Sequence, residues 1–192
     1  MNQFDQFQNA LLLEPIAVNK YRVNLDSRYF VGKTPHGGYL NALMHKALIL
    51  SVPHTVAISS SIQYLNRIEV NDVVLEVEVF KTSKGSSSGL VKLYQDKKIC
   101  TVFNAICSDF EHMKGFDGLL TNPPDLYKNT PKRDYKNLNY DVISPGFTPS
   151  FIHQLSCTVH PNHAWWDRDM DEADAEARCS AYMQMDGGVP DQ

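Results

Sequence analysis

The chain has 192 residues, 43% of them apolar and 21% charged, with a formal charge of −4. That suits a globular protein of one large or two small domains and gives no electrostatic grounds for nucleic-acid binding. No apolar run approaches the ~20 residues that cross a bilayer, so no membrane span is expected. Residues 1–10 lack the basic start of a secretory signal. Cys100, Cys107, Cys157 and Cys179 form no C-x-x-C pair and no zinc spacing. They read as reduced thiols, and a cytoplasmic location is the expectation.

Phe4, Phe7 and Leu11 predict a short N-terminal helix. Residues 21–30 read as a strand, because Tyr21, Val23 and Leu25 alternate with Arg22, Asn24 and Asp26. Thr34-Pro35-His36-Gly37-Gly38-Tyr39 then ends the extended chain and opens a helix that runs to residue 51. Leu40, Leu43, Met44, Ala47 and Leu48 recur at the spacing of a core helix, and Ile49 and Leu50 widen the stripe. Gly37, Asn41 and His45 are four apart and share another face. Pro53 closes the segment. With no Cβ at Gly37 and Gly38, another molecule can approach the unpartnered N–H groups of the first turn. The helix dipole there favours a carbonyl oxygen or a phosphate. A tight packing turn is the competing reading.

Residues 55–68 predict a strand with Val56, Ile58, Ser60, Ile62 and Tyr64 on one face. The small residues at its centre, Ser59 to Ser61, let a helix or a ligand come close. No G-x-S-x-G elbow surrounds them, so packing explains these serines better than nucleophilic catalysis. Val73, Leu75, Val77 and Val79 alternate with Glu76 and Glu78 in the clearest strand of the chain. Residues 82–89 read as a hairpin connection, 90–94 and 99–107 as strands. The order predicted is strand, helix, then four strands in an antiparallel meander.

Periodicity stops from 109 to 149, where Pro123, Pro124, Pro131, Pro145 and Pro149 punctuate a polar stretch, with 125–140 expected to lie over the first unit. Residues 151–160 and 178–185 resume strand-like patterns. The acidic loop 167–176 fails as an EF-hand, having Glu172 at position 6 and Arg178 at position 12. His153, His160 and His163 match no metal spacing, so neither a metal nor a cofactor is expected. Trp165 and Trp166 suit a core or an interface. The chain ends on a Gly-Gly turn at Gly187-Gly188, where a further helix would open.

A strand, a His-Gly-Gly turn into a long apolar helix and a run of strands resemble the hotdog fold, an α+β architecture in which an antiparallel sheet wraps a central helix. Pro35-His36-Gly37-Gly38-Tyr39, Tyr64-Leu65-Asn66-Arg67 and the Gly85 to Gly89 hairpin resemble acyl-CoA thioesterases of the thioesterase-like, thioesterase II-type double-hotdog family. Residues 151–160, Trp165-Trp166-Asp167-Arg168 and 178–191 resemble the start of that family's second repeat. The expected domains are therefore a complete hotdog repeat over 1–112, a connecting segment over 113–148 and a partial second repeat over 149–192. The resemblance implies a catalytic Asp on the second repeat's helix, with a Gln and a Thr or Ser from its later strands. The chain ends before that helix and no position takes those roles, so the expectation is a shortened or truncated form. Single-hotdog thioesterases of the phenylacetate-pathway type carry an acid on the first helix, and the matching position is His45.

The resulting expectation is an acyl-CoA thioesterase-like hydrolase of lipid metabolism. Asn41 and His45 are the candidate catalytic residues, positioning or activating water. His36, Gly37, Gly38, Tyr39, Asn66 and Arg67 are the candidate acyl-CoA-binding residues. The N–H of Gly38 or Tyr39 would face the developing oxyanion, and Arg67 the CoA phosphates. The alternatives are a non-catalytic unit that binds acyl-CoA or serves assembly, and a hotdog dehydratase, which would pair His36 or His45 with an acid across an interface. An isolated hotdog leaves a sheet edge open, so a homodimer or higher homo-oligomer is expected.

Overall fold

The computed structural model describes residues 1–69, 72–113, 115, 135–138, 146–161 and 181–187. The chain divides into two compact units, Gln6–Phe116 and a second that joins Met1–Asp5 to Asp117–Gln192. In order, the elements are α1 (Gln3–Ala10), β1 (Glu14–Ala17), β2 (Lys20–Asn24), β3 (Phe30–Val31), β4 (Thr34–Pro35), α2 (Gly37–Ile49), β5 (Val56–Tyr64), β6 (Asp72–Thr82), β7 (Ser87–Gln95) and β8 (Lys98–Ser108). Three short strands follow: β9 (Lys136–Asn137), β10 (Ser156–Val159) and β11 (Ala181–Gln184).

The larger unit is a six-stranded sheet in the order β1-β2-β6-β7-β8-β5. All its pairings are antiparallel. The four strands after α2 do not form the predicted meander. Only β6, β7 and β8 follow one another across the sheet, joined by tight turns at Ser83 to Ser86 and at Asp96-Lys97. β5 lies beside β8 and forms the edge, while β6 pairs with β2. The short turns hold neighbours together; the longer link that begins at Leu65 allows β5 to sit on the far edge.

Three local expectations also change. The strand predicted over 21–30 stops at Asn24. The Asp26 carboxylate accepts the Arg28 N–H at 3.0 Å and draws the chain into a 3-10 turn, Ser27–Tyr29. A bulge leaves Ile58 between the pairs Ala57–Cys107 and Ser59–Ile106. The alternation therefore flips in mid-strand: Ala57 and Ile62 pack on the core, and Ile58 is 52% exposed. The small residue that admits the helix is Gly89, which belongs to β7 and not to a hairpin connection. A Cβ there would stand 2.8 Å from Leu48 Cδ1 and 2.9 Å from the Glu78 carbonyl oxygen. The run Ser59 to Ser61 is exposed.

α2 packs across β5, β6, β7 and β8. Leu43, Met44, Ala47 and Leu48 are fully enclosed, among Val23, Leu25, Val73, Leu75, Val91, Leu93 and Phe103. Each enclosed leucine contributes ~1.5–3 kcal/mol of burial, which outweighs helix propensity in holding this segment. Phe7, Ala10 and Leu11 join the same core.

In the second unit, β10 pairs antiparallel with β11 on one side and β9 on the other. The Phe4 N–H donates to the Asp186 carbonyl at 3.0 Å. The strand expected over 151–160 is a 3-10 turn, Ser150–Gln154, followed by β10. Trp165, Trp166, His163, Cys179, the acidic loop 167–176 and most of the expected connection 113–148 lie outside the described residues. Among the described residues Cys100, Cys107 and Cys157 are free thiols, and no helix is long and apolar enough to cross a membrane.

Candidate functional site

The start of α2 is built by a small hairpin. β3 and β4 pair across a turn in which Gly32 takes φ +61°, a conformation that favours glycine. The His36 N–H donates to the Tyr29 carbonyl at 2.9 Å, and the His36 imidazole caps the helix by accepting the Gly38 N–H at Nδ1, 3.2 Å away. The Gly38 amide is thereby committed to the cap. The first-turn amides of Gly37 and Tyr39 have no partner within the helix by its geometry.

A groove of about 670 Å³ opens beside this turn. Thr34, Pro35, Gly37 and Leu40 form one wall, and Tyr64 to Ile68 with Thr101 form the other. The Tyr64 hydroxyl donates to the Gly37 carbonyl at 2.8 Å. A Cβ on Gly37 would stand 2.7 Å from that hydroxyl oxygen, so the glycine is what admits the tyrosine. Asn66 donates its side-chain N–H to the Ile99 carbonyl at 2.8 Å, and the amides of Leu65 and Asn66 both donate to Cys100. These bonds fasten the 65–66 backbone to the start of β8. Arg67 Nε donates to Thr34 Oγ1 at 3.1 Å, linking the two walls, while the arginine stays exposed.

Behind the groove, the face of α2 that begins at Gly37 continues through Asn41 and His45. Asn41 Oδ1 and His45 Nε2 are enclosed and have no hydrogen-bond partner among the described residues. Thr101 Oγ1, on the groove wall, is enclosed and unpartnered as well. Each such atom is destabilising by ~1–3 kcal/mol unless a ligand or water satisfies it. The His45 ring lies edge-on to Phe103 with centroids 6.4 Å apart, and burial pushes its imidazole below the ordinary histidine value. The ring is therefore neutral at neutral pH.

Of the residues singled out from the sequence, Gly37, Asn66 and Arg67 come together in the groove. Tyr39 has its side chain in the core, 3% exposed. Its hydroxyl donates to the Ala10 carbonyl at 2.8 Å and accepts the Asp26 N–H at 3.1 Å. Burial pushes that phenol up to about 12, so what Tyr39 offers a ligand is its backbone amide. Thr101 carries no sequence motif, and Tyr64 belongs to the Tyr64-Leu65-Asn66-Arg67 motif without being marked as a binding residue. Their signal is the cross-strand pair Tyr64–Thr101, which exists only once β5 is set beside β8.

Residues 25–108 match the family model of the acyl-CoA thioesterase N-terminal domain. Among solved structures, the chain is similar to a hot dog fold protein of unknown function from Alicyclobacillus acidocaldarius, with 16% identity and a TM-score of 0.74 over 94% of this chain and 62% of that one. It is also similar to a protein of Thermobifida fusca assigned provisionally as a thioesterase II, with 18% identity and a TM-score of 0.68 over 85% of this chain and 58% of that one. A third, from Novosphingobium aromaticivorans and provisionally a thioesterase, gives 14% identity and a TM-score of 0.64 over 77% and 58%. The chain thus spans about three fifths of the length of these structures. They establish the fold as hot dog. No curated protein matches the sequence.

Proposed function

We propose, from the match of residues 25–108 to the acyl-CoA thioesterase N-terminal domain, that the chain is a thioesterase-like acyl-CoA thioester hydrolase that releases a free acid and CoA. The observation that carries this reading is the groove at the first turn of α2, with Gly37 and Thr101 on its walls; Asn41 and His45 do not line it, but their unpartnered polar atoms follow Gly37 along the same helix face. The thioester carbonyl lies at the turn, where the amides of Gly37 and Tyr39 donate to the oxyanion as it forms. Water adds to the carbonyl carbon and gives its proton to His45, with Asn41 as its acceptor-side support. The C–S bond then breaks, and the CoA thiolate takes a proton as it leaves. Arg67, at the mouth, has guanidinium N–H groups beyond the one on Thr34 to offer the CoA phosphates.

The second reading, an acyl-CoA-binding or assembly unit without turnover, has one observation in its favour. No carboxylate is among the described residues that line the groove. Incubation with acyl-CoAs of graded chain length and a thiol-detecting dye separates the two. Hydrolysis releases CoA above the uncatalysed background; binding without release supports the second reading. Single Asn41→Ala and His45→Ala variants then test the site, and unchanged turnover in both removes them from it.

The same reading includes a partner and a repeat. β5 is a sheet edge whose Ile58 and Tyr64, with Leu65 just beyond, are each more than half exposed, and such edges are ordinarily covered. We assign residues 149–192 to the start of a second hotdog repeat and expect a homodimer or higher homo-oligomer in the cytoplasm. A well-folded monomer in light scattering overturns the oligomer.

A further inference from the structure

We propose that His54, Asp109 and His112 form a site for a divalent transition-metal cation of the zinc class, at the end of β5 and β8 remote from the groove. One ring nitrogen of each histidine and a carboxylate oxygen of Asp109 lie within 4.8 Å of one another. Register brings them together. Val56 pairs with Ser108, so the residues just before β5 and just after β8 meet, and the 3-10 turn Phe110–His112 follows directly on Asp109.

Each donor is prepared in a different way. His54 is 3% exposed, with Nε2 3.2 Å from the Lys84 carbonyl and Nδ1 2.7 Å from Ser87 Oγ. A carbonyl only accepts, so Nε2 carries the proton and Nδ1 the lone pair a metal needs. A ring N–H held by a backbone carbonyl is the arrangement that orients metal-bound imidazoles. For a metal to take that lone pair the Ser87 side chain has to swing off Nδ1, and Thr82 Oγ1, 3.4 Å from its Oγ, is a second acceptor for the hydroxyl. Asp109 takes the N–H and the hydroxyl of Thr55 on the same oxygen, Oδ1, both at 3.0 Å, which holds the carboxylate and leaves Oδ2 for a cation. His112 Nδ1 is enclosed without a hydrogen-bond partner among the described residues, and the Glu111 carboxylate stands 3.9 Å away.

Two imidazoles and one carboxylate suit zinc and its neighbours rather than calcium or magnesium, which favour all-oxygen sites. Ligand atoms around tetrahedral zinc sit about 3.3 Å apart, so the side chains close inward on binding. The site lies about 25 Å along the strands from Tyr64 and Thr101. Its role is to clamp the start of β5 to the end of β8, and the proposed hydrolysis does not use it.

The test uses the full chain, stripped with a chelator and titrated with zinc against a chromophoric indicator. Cobalt(II) in parallel reports coordination geometry through its visible bands. One bound zinc per chain and a raised Tm are expected. His112→Ala, on a partly exposed residue, lowers affinity at least ~tenfold and removes the Tm shift while far-ultraviolet circular dichroism is unchanged. Asp109→Asn provides a second variant should the first fail to fold. Absence of zinc uptake by the wild-type chain overturns the proposal, as does uptake that neither variant weakens.

Discussion

Two faces of α2 run side by side under different constraints. Leu43, Met44, Ala47 and Leu48 are 0% exposed and sit among apolar residues of the sheet. On the adjoining face, Gly37 opens a groove, and Asn41 and His45 hold enclosed polar atoms with no partner. The first face stabilises the unit through every methyl group it hides. The second costs stability at two positions, where a leucine would satisfy the core better. A helix shaped by packing alone would not carry that second face, and the proposed site at its head accounts for it.

Truncation of the apolar face should have the largest effect. Leu43→Ala should cost about 3–5 kcal/mol in urea unfolding, since the enclosed site leaves a cavity. A loss under ~1 kcal/mol would mean that the stripe is not the core. Gly89→Ala should cost about 1–3 kcal/mol, because the new Cβ meets the Glu78 backbone carbonyl at 2.9 Å and a backbone atom cannot swing aside. The polar face should respond in the opposite direction. Asn41→Leu removes an unpartnered acceptor and should raise stability by about 1 kcal/mol while lowering thioester turnover at least ~tenfold. If that variant loses stability as Leu43→Ala does, Asn41 is a packing residue and the contrast collapses.

The packing face was legible in the sequence, and the polar face only in outline. Apolar spacing from Leu40 to Leu48 marks α2, and strict alternation marks β6. Both are local periodicities. The placement of β5 on the far edge, the bulge at Ile58 and the seating of Leu48 on Gly89 depend on partners distant in sequence, which no window of residues contains. The same limit applies to the groove. Of the six residues the motifs mark for binding, Gly37, Asn66 and Arg67 line it, whereas His36, Gly38 and Tyr39 do not. Thr101 looks like any other residue of a buried strand until Tyr64 is set opposite. Nothing local indicates that the Tyr39 hydroxyl reaches Ala10 and Asp26.

The smallest effect concerns His45 and pH. Burial holds its imidazole below the ordinary value. Above pH ~6.5 the folded and unfolded chains both carry it neutral, and its contribution to stability is fully present. As pH falls from there, the unfolded chain takes up the proton first and the folded chain resists. Stability is lost progressively until the pH passes below the folded value, where both forms are protonated. His45→Phe, beside Phe103, should flatten that segment of the curve. The measurement is the difference in urea midpoint between about pH 7.5 and about pH 5.5 in the two proteins. A variant that loses as much as the wild type over this interval assigns the slope to another group. Under the proposed mechanism, in which neutral His45 takes the proton from water, the same shift should set the acid limb of kcat below ~6.5.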